Sequence, residues 1–245
     1  MERINRKCLM YSDAFCKIYN EFGWNYAPEI FGEKLLAWMK QNGVTVRTSM
    51  DLACGTGVLC ECLYRQGIEA AGMDFSEGMI EIARNNNPEI AYEVADMILY
   101  RPEKQFDLVT CTGDALNHIM DLKDVAQIFQ NVYSYVSKGG YFFFDLLNEG
   151  EVAQAEPFDV DFGDGVRAQF MVSKISEELF QLKTTVFENG AKNVEEVITE
   201  KVHDPGRICE LLKNAGFQVL RCADRLSDEG ENHCTSWYII AKKSE

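Results

Sequence analysis

The sequence predicts an α/β fold on one seven-stranded, mostly parallel sheet with helices on both faces. Three observations carry that reading. Between about residues 48 and 147, short apolar runs alternate with helical patterns, the order expected of βαβ units. The run "YFFFDLL" is almost wholly apolar, as a strand covered on both faces must be. The stretch "DLACGTG" sets a G-x-G directly between a strand and a helix.

Taken in order, residues 1–45 read as a largely helical N-terminal cap with aromatic side chains at Tyr11, Phe15, Tyr19, Phe22, Trp24 and Tyr26. "TSMDLAC" is the first strand, "GVLCECLYRQG" a short helix closed by Gly67, and "IEAAGMDF" the second strand. "SEGMIEIARNNNP" is a helix with Ser76 as N-cap and Pro88 as stop. "IAYEVAD" is the third strand, ending at Asp96, and "FDLVTCTG" the fourth. "DLKDVAQIFQNVYSYVSKGG" is predicted as a helix from the cap Asp121 to the terminator Gly139-Gly140, with Leu122, Val125, Phe129, Val132 and Val136 on one stripe. "YFFFDLL" follows as the fifth strand.

After Asn148 the pattern changes to two-residue alternation in "VRAQFMVSKIS", "ELFQLKTTVFENG" and "VEEVITEKV", with a hairpin signal at Asn189-Gly190. This is an inserted antiparallel sheet. Val166, Ala168, Phe170 and Val172 fall on one face, which needs a cover: the main domain, a ligand or a second subunit. "DPGRICELLKNAGF" returns to helix with Asp204 as cap and Pro205 at its first position, before the closing strands "QVLRCADRL" and "SWYIIAKK". Residues 46–150 and 204–245 therefore form a Rossmann-like core, residues 151–203 the insertion, and residues 1–45 a cap on the same domain.

Composition narrows the function. With 24 basic against 39 acidic side chains, the formal charge of -15 disfavours a nucleic acid, whose binding is driven by Lys and Arg contacts to phosphates. No apolar run approaches the ~20 residues that span a bilayer, and the N-terminus lacks the pattern of a secretory signal, so the expected location is the cytoplasm. Nine cysteines without CxxC pairing read as reduced thiols. Cys54, Cys60 and Cys62 have no nearby His, and no metal site is expected. The expected partner is a small molecule.

The glycines of "DLACGTG" would sit at the carboxyl edge of the sheet, where open α/β folds bind ligands. A tight strand-to-helix turn would need them as well. Asp74 ends the second strand 17 residues after Gly57, where a carboxylate can accept from both ribose hydroxyls of a nucleoside; as a lone feature it would serve equally as a charge at a helix N-terminus. Asp96 ends the third strand at the same edge. Three such features at three successive strand ends point to a nucleoside site. Cys60 stands where a dinucleotide fingerprint needs its third glycine, which argues against a nicotinamide cofactor, and Asp51 beside the turn suits a cationic group better than a phosphate.

These segments together resemble the class I S-adenosylmethionine-dependent methyltransferases in "DLACGTG", "GMDFSEGMIEIAR", "VADM", "FDLVTC", "GGYFFFDL" and the final strand pair. Within that superfamily "CTGDALNHI" and "YSDAFCKIYNEF" are similar to small-molecule N-methyltransferases of the glycine and aminodeoxysugar type, with His118, Tyr11 and Tyr19 at matching positions and Asp114 where the glycine enzyme has an Asn. The resemblance implies S-adenosylmethionine as cofactor and S-adenosylhomocysteine as product. It implies that Ala53, Gly55 and Gly57 line the methionine part through backbone, with Asp51 near its ammonium. Asp74 would hold the ribose, Phe75 and Met79 the adenine, Asp96 and the Met97 backbone the adenine amino group, and the Cys111-Thr112 backbone would flank the sulfonium.

Methyl transfer from a sulfonium is a direct displacement, so alignment of the acceptor matters more than acid or base. An amine acceptor must still be neutral, which makes His118 the candidate base and Tyr11 the candidate for orienting substrate or sulfonium. Tyr19, Trp24 and Tyr26 are expected as a lid; His203 and His233 are given no role. The alternatives are an O-methyltransferase of a small carboxylate or hydroxyl, and a nucleoside-binding regulatory protein without catalysis. The oligomeric expectation is a monomer or a homodimer through the inserted sheet.

Overall fold

The computed structural model describes residues 11–12, 15–16, 19–20, 26–148, 156–224 and 236–244. Helix α1 (Tyr26–Gln41) precedes β1 (Thr48–Leu52), α2 (Val58–Tyr64), β2 (Glu69–Asp74), α3 (Glu77–Asn86), β3 (Ala91–Val94) and β4 (Phe106–Cys111). A 3-10 turn (Ala115–His118) leads to α4 (Leu122–Tyr135) and β5 (Val136–Leu147). Strands β6 (Phe158–Gly163), β7 (Val166–Lys174), β8 (Leu179–Glu188) and β9 (Ala191–Lys201) follow, then α5 (Pro205–Ala215), β10 (Gln218–Ala223) and β11 (Ser236–Lys242). The main sheet has seven strands in the order β10-β11-β5-β4-β1-β2-β3, and β6 to β9 form a separate four-stranded sheet in sequence order. All main-sheet pairs are parallel except the two made by β11. The expected fold class holds.

Period-two alternation makes the sheet two-sided. Phe142 and Phe144 of β5 turn to one face, with Val125, Phe129 and Val132 of α4 and Ile208 and Leu212 of α5. Phe143 turns to the other, with Phe31, Leu35 and Met39 of α1, Leu59 and Leu63 of α2 and Ile80 of α3. Helix α1 thus packs on the sheet itself, whereas residues 1–45 read as a cap. Trp24, Phe22 and His233 lie outside the described residues, as does the side chain of Tyr26.

Local signals behave as their chemistry requires. The side chains of Ser76, Asp121 and Asp204 each accept a backbone N–H at a helix start. One boundary is corrected. The helix predicted to run to Gly139-Gly140 stops at Tyr135, and Val136 already pairs with Phe106 of β4. A Cβ on Gly140 would lie 2.8 Å from the Asp107 carbonyl oxygen, so this glycine serves the close approach of β5 to β4 rather than a helix end.

In the insertion, Asn189 and Gly190 take φ of 50° and 79° as a two-residue turn between β8 and β9, the geometry the hairpin signal demands. Strand pairing puts Ala168, Phe170, Val186, Thr184, Leu182, Glu196, Ile198 and Glu200 on one face. That face meets its own domain. Ser12 donates to the Glu196 carboxylate through its backbone N–H at 3.1 Å and its hydroxyl at 2.9 Å, and Asn117 Nδ2 donates to the Lys201 carbonyl at 2.7 Å. Among the described residues no helix is long and apolar enough to cross a membrane.

Candidate active site

The carboxyl ends of β1, β2 and β4 open into a cavity of about 1510 Å³, closed on its far side by β9 of the insertion and by Tyr11 and Tyr19. Of the residues singled out from the sequence, Tyr11, Tyr19, Asp51, Ala53, Gly55, Asp74, Phe75, Asp96, Met97, Thr112 and His118 line it. The other three do not. Met79 is fully buried at the helix start and is not part of the cavity wall. Cys111 turns its side chain into the core, leaving Thr112 at the wall. Gly57 is pressed against Tyr92, whose phenol oxygen would lie 2.4 Å from a Cβ at that position.

The two glycines of G-x-G therefore do different work. Gly55 has φ 52°, and a Cβ built on it would meet no atom within 4 Å; the open space beside it is the cavity. Ala53 also adopts a left-handed φ, 54°, which tightens the loop between β1 and α2. One carboxylate holds that loop to the next strand: Asp74 accepts from the Gly55 N–H at 2.9 Å and the Ser76 N–H at 2.8 Å. Both readings of Asp74 are compatible, because an ionised carboxylate has about four acceptor sites and the backbone uses two. Asp96 accepts from the Ile98 N–H at 2.9 Å and keeps its place at the rim.

Asp51 is buried, and its carboxylate accepts the Thr110 hydroxyl at 2.7 Å. Burial, with the nearby charges of Asp74 and Asp145 adding to it, pushes its pKa up to about 7. No ion pair to Asp51 occurs among the described residues. A buried carboxylate of that kind at the wall of a cavity fits a ligand ammonium. The donor set at this end, open backbone at Gly55 plus the acidic side chains of Asp51, Asp74 and Asp96, fits an amino-acid-bearing nucleoside.

The opposite wall is built by contacts distant in sequence. Asp114, at φ 52°, starts the 3-10 turn that presents His118. Asp145 of β5 accepts the Gly113 and Asp114 N–H groups at 3.3 and 3.2 Å. The fully buried Asn117 accepts the Leu147 N–H at 3.0 Å while donating to β9. His203 Nε2 lies 3.3 Å from the Leu116 carbonyl and 3.0 Å from that of Ile119; two carbonyl partners make this nitrogen the donor. His203, expected to be idle, is thus a buried brace for the turn that carries His118.

Burial drives the pKa of His118 down to about 4, so its imidazole is neutral near pH 7. Its Nε2 lies 3.9 Å from an Asp114 oxygen and 4.0 Å from a Glu200 oxygen. Burial raises the pKa of Glu200, and burial together with the Glu200 charge raises that of Asp114. Sequence reasoning missed Glu200, Asn117, His203 and Asp145 as parts of the site. No local pattern could have found Glu200, which is separated from the turn by the whole insertion.

Residues 50–140 match the family model described as methyltransferase domain. The chain carries a methyltransferase domain. It is an S-adenosylmethionine-dependent methyltransferase of the class I fold. The candidate methyltransferase YqeM of Bacillus subtilis is 26% identical over 96% of this chain and 98% of its own length. A ubiquinone biosynthesis O-methyltransferase of Coxiella burnetii is 32% identical over 40% of this chain, which spans 43% of that relative. Among solved structures, an S-adenosylmethionine-dependent methyltransferase from Clostridium acetobutylicum superposes with TM-score 0.81 at 22% identity, covering 95% of this chain and 99% of its own. The sugar N-methyltransferase KedS8 from Streptoalloteichus superposes with TM-score 0.77 at 18% identity over 94% and 93%. Both cover nearly all of the chain, insertion included, and they share its fold.

Proposed function

We propose that this methyltransferase N-methylates a small amine. The observation that carries the reading is a neutral, mostly buried His118 on the wall of the same cavity as the glycine loop. When bound, S-adenosylmethionine supplies a methyl group on a sulfonium, displaced by a nucleophile with the bonding pair left on sulfur. On the protein side, the Ala53 and Gly55 backbone and Asp51 receive the methionine end. Asp74 takes the ribose, Phe75 packs on the base, and Asp96 with the Met97 backbone reads the base's amino group.

Toward the acceptor, neutral His118 offers a ring nitrogen that accepts a hydrogen bond from the amine N–H and orients its lone pair. Tyr11 and Tyr19, with ring centroids 5.9 Å apart, face the same space, where their rings hold a cation and exclude water. Support for nitrogen also comes from the whole-chain likeness to a sugar N-methyltransferase fold. The competing O-methylation reading is favoured by the Coxiella relative, which this chain matches over only 40% of its length.

Calorimetric titration with S-adenosylmethionine, S-adenosylhomocysteine and NAD comes first, then a radiolabelled methyl-transfer screen of matched amines, alcohols and carboxylates. Binding of both sulfur nucleosides without NAD, and label in amines alone, is the expected result. Label in alcohols or carboxylates would replace nitrogen by oxygen as the acceptor atom.

A further inference from the structure

We propose that Asp114, His118 and Glu200 form a cation subsite that seats the acceptor's ammonium, with Glu200 of the inserted sheet selecting amines over neutral hydroxyl compounds. The inference rests on the amine reading above and names the residues that enforce it.

The three side chains come from segments that only the fold brings together: the turn after β4 supplies Asp114 and His118, and β9 supplies Glu200. One ligand atom from each lies within 4.8 Å of the others. The set is reachable, since the side chains of Asp114, His118 and Glu200 keep 36%, 23% and 16% of their exposure, and His118 lines the cavity. Tyr11 lines the same cavity as His118, and the charges of Asp114 and Glu200 both act on its phenol.

Charge balance separates this cluster from an ordinary surface network. Several other carboxylates of the insertion pair with lysine or arginine, Glu195 with Lys183 and Lys192, Asp159 with Arg167 and Glu178 with Lys201, while Glu196 is held by Ser12. Among the described residues, the ion pairs of Asp114 and Glu200 lead only to His118. Two partly exposed carboxylates beside a neutral imidazole that lines the cavity, without a basic partner among the described residues, suit a ligand that brings its own positive charge. An alcohol of the same shape would leave them without that partner, which is how a polar site rejects an isostere.

The chemical step balances. An N–H bond of the bound ammonium breaks, the proton forms an O–H bond on a carboxylate of the subsite, and the nitrogen keeps the freed pair for attack. After transfer the subsite returns the proton to solvent.

The test is calorimetry on the full chain, free and saturated with S-adenosylhomocysteine. The probes are two amine and alcohol pairs of matched shape: cyclohexylamine with cyclohexanol, and glucosamine with glucose. At least one amine is expected to bind ten times or more tighter than its alcohol. Glu200→Gln and Asp114→Asn are each expected to abolish that preference while leaving S-adenosylhomocysteine affinity and the thermal unfolding midpoint near wild type. Asn keeps the left-handed turn that Asp114 occupies, so one of the two variants stays interpretable if the other fails to fold. Equal binding of amine and alcohol, or an amine preference that survives both substitutions, would overturn the proposal. So would stoichiometric Mn²⁺ binding lost in the same variants without any amine preference, since the cluster would then be a metal centre. Amine preference without S-adenosylhomocysteine binding would leave the subsite standing and remove the cofactor reading instead.

Discussion

The two walls of the cavity are made in opposite ways. The glycine-loop wall is assembled from neighbours in sequence: Asp74 reaches Gly55 across 19 residues and Ser76 across two. The wall facing it is assembled across 84 residues by Asn117 and Lys201, 87 by Leu116 and His203, and 184 by Ser12 and Glu196. The first is a property of one βαβ unit, and any chain that folds that unit obtains it. The second exists only when the insertion has docked, so it can vary without disturbing the first. That division suits an enzyme with a fixed donor and a variable acceptor.

The largest effect that tests the division lies within the loop itself. Gly57→Ala places a Cβ against Tyr92 and Ala83 at φ 85°, adding overpacking to left-handed strain. It is expected to cost about 2–5 kcal/mol of stability, read by denaturant unfolding. Gly55→Ala meets only open space at φ 52° and is expected to cost about 1–2 kcal/mol, while S-adenosylhomocysteine affinity falls at least ~10-fold because the methyl group intrudes where the ligand approaches the backbone. Equal losses of stability in the two variants would show that both glycines serve the turn alone.

Asp74→Ala comes next. It removes a carboxylate that holds the loop and is proposed to hold the ribose, and it is expected to weaken S-adenosylhomocysteine binding by roughly 1–3 kcal/mol. Asp74→Asn separates the two duties. An amide keeps one acceptor oxygen, so the variant is expected to recover folding stability more fully than affinity. Full recovery of both would reduce Asp74 to a brace.

The same asymmetry decides what was legible in the sequence. The caps Ser76, Asp121 and Asp204, the turn Asn189-Gly190 and the strand-end carboxylates Asp74 and Asp96 follow from local rules, because a strand end followed by a helix N-terminus fixes where a side chain must stand, whereas Tyr11, Tyr19 and His118 are reached only through the family resemblance. Met79 follows the cap Ser76 as expected, but its side chain is fully buried and does not line the cavity. Glu200 was invisible because its partner His118 lies across the insertion, and "VEEVITEKV" offers several carboxylates of equal promise until strand pairing selects a face. His203 carries no local signal in the sequence, although burial against two carbonyls makes it part of the scaffold.

Asn117→Ala sharpens the comparison from the other side. It strips a hydrogen bond from each of β5 and β9 without touching the glycine loop. A stability loss of about 1–3 kcal/mol is expected from the buried groups left unpaired. S-adenosylhomocysteine affinity is expected to hold while methyl transfer to the best amine falls. Parallel loss of cofactor binding would mean that the two walls are one cooperative unit.

The smallest effect is a pH dependence, and it reports on Asp51. Raised carboxylate pKa values mean that the folded protein binds protons that the unfolded chain has released, so their contribution to stability falls as pH rises from the ordinary carboxylate range through the folded values, about 6 for Asp145 and about 7 for Asp51 and Glu200. The two depressed histidines act in the opposite sense. Their contribution grows as pH rises from the folded value, about 4 for His118, to the ordinary value near 6.5, and is complete above it. Between pH 6.5 and 8 the raised carboxylates therefore act without that opposition, and the unliganded unfolding midpoint is expected to drop across this window. Asp51→Asn should reduce the drop, leaving the part contributed by Glu200. Its charge matters for the ligand as well: if an amino-acid ammonium binds beside Asp51 and returns its pKa to the ordinary range, S-adenosylhomocysteine affinity should rise about 10-fold from pH 6 to pH 8, with a proton released to buffer. Calorimetry in two buffers of different ionisation enthalpy measures that proton directly. Affinity independent of pH, with no proton released, would place the ammonium elsewhere and leave Asp51 as a partner of Thr110 only.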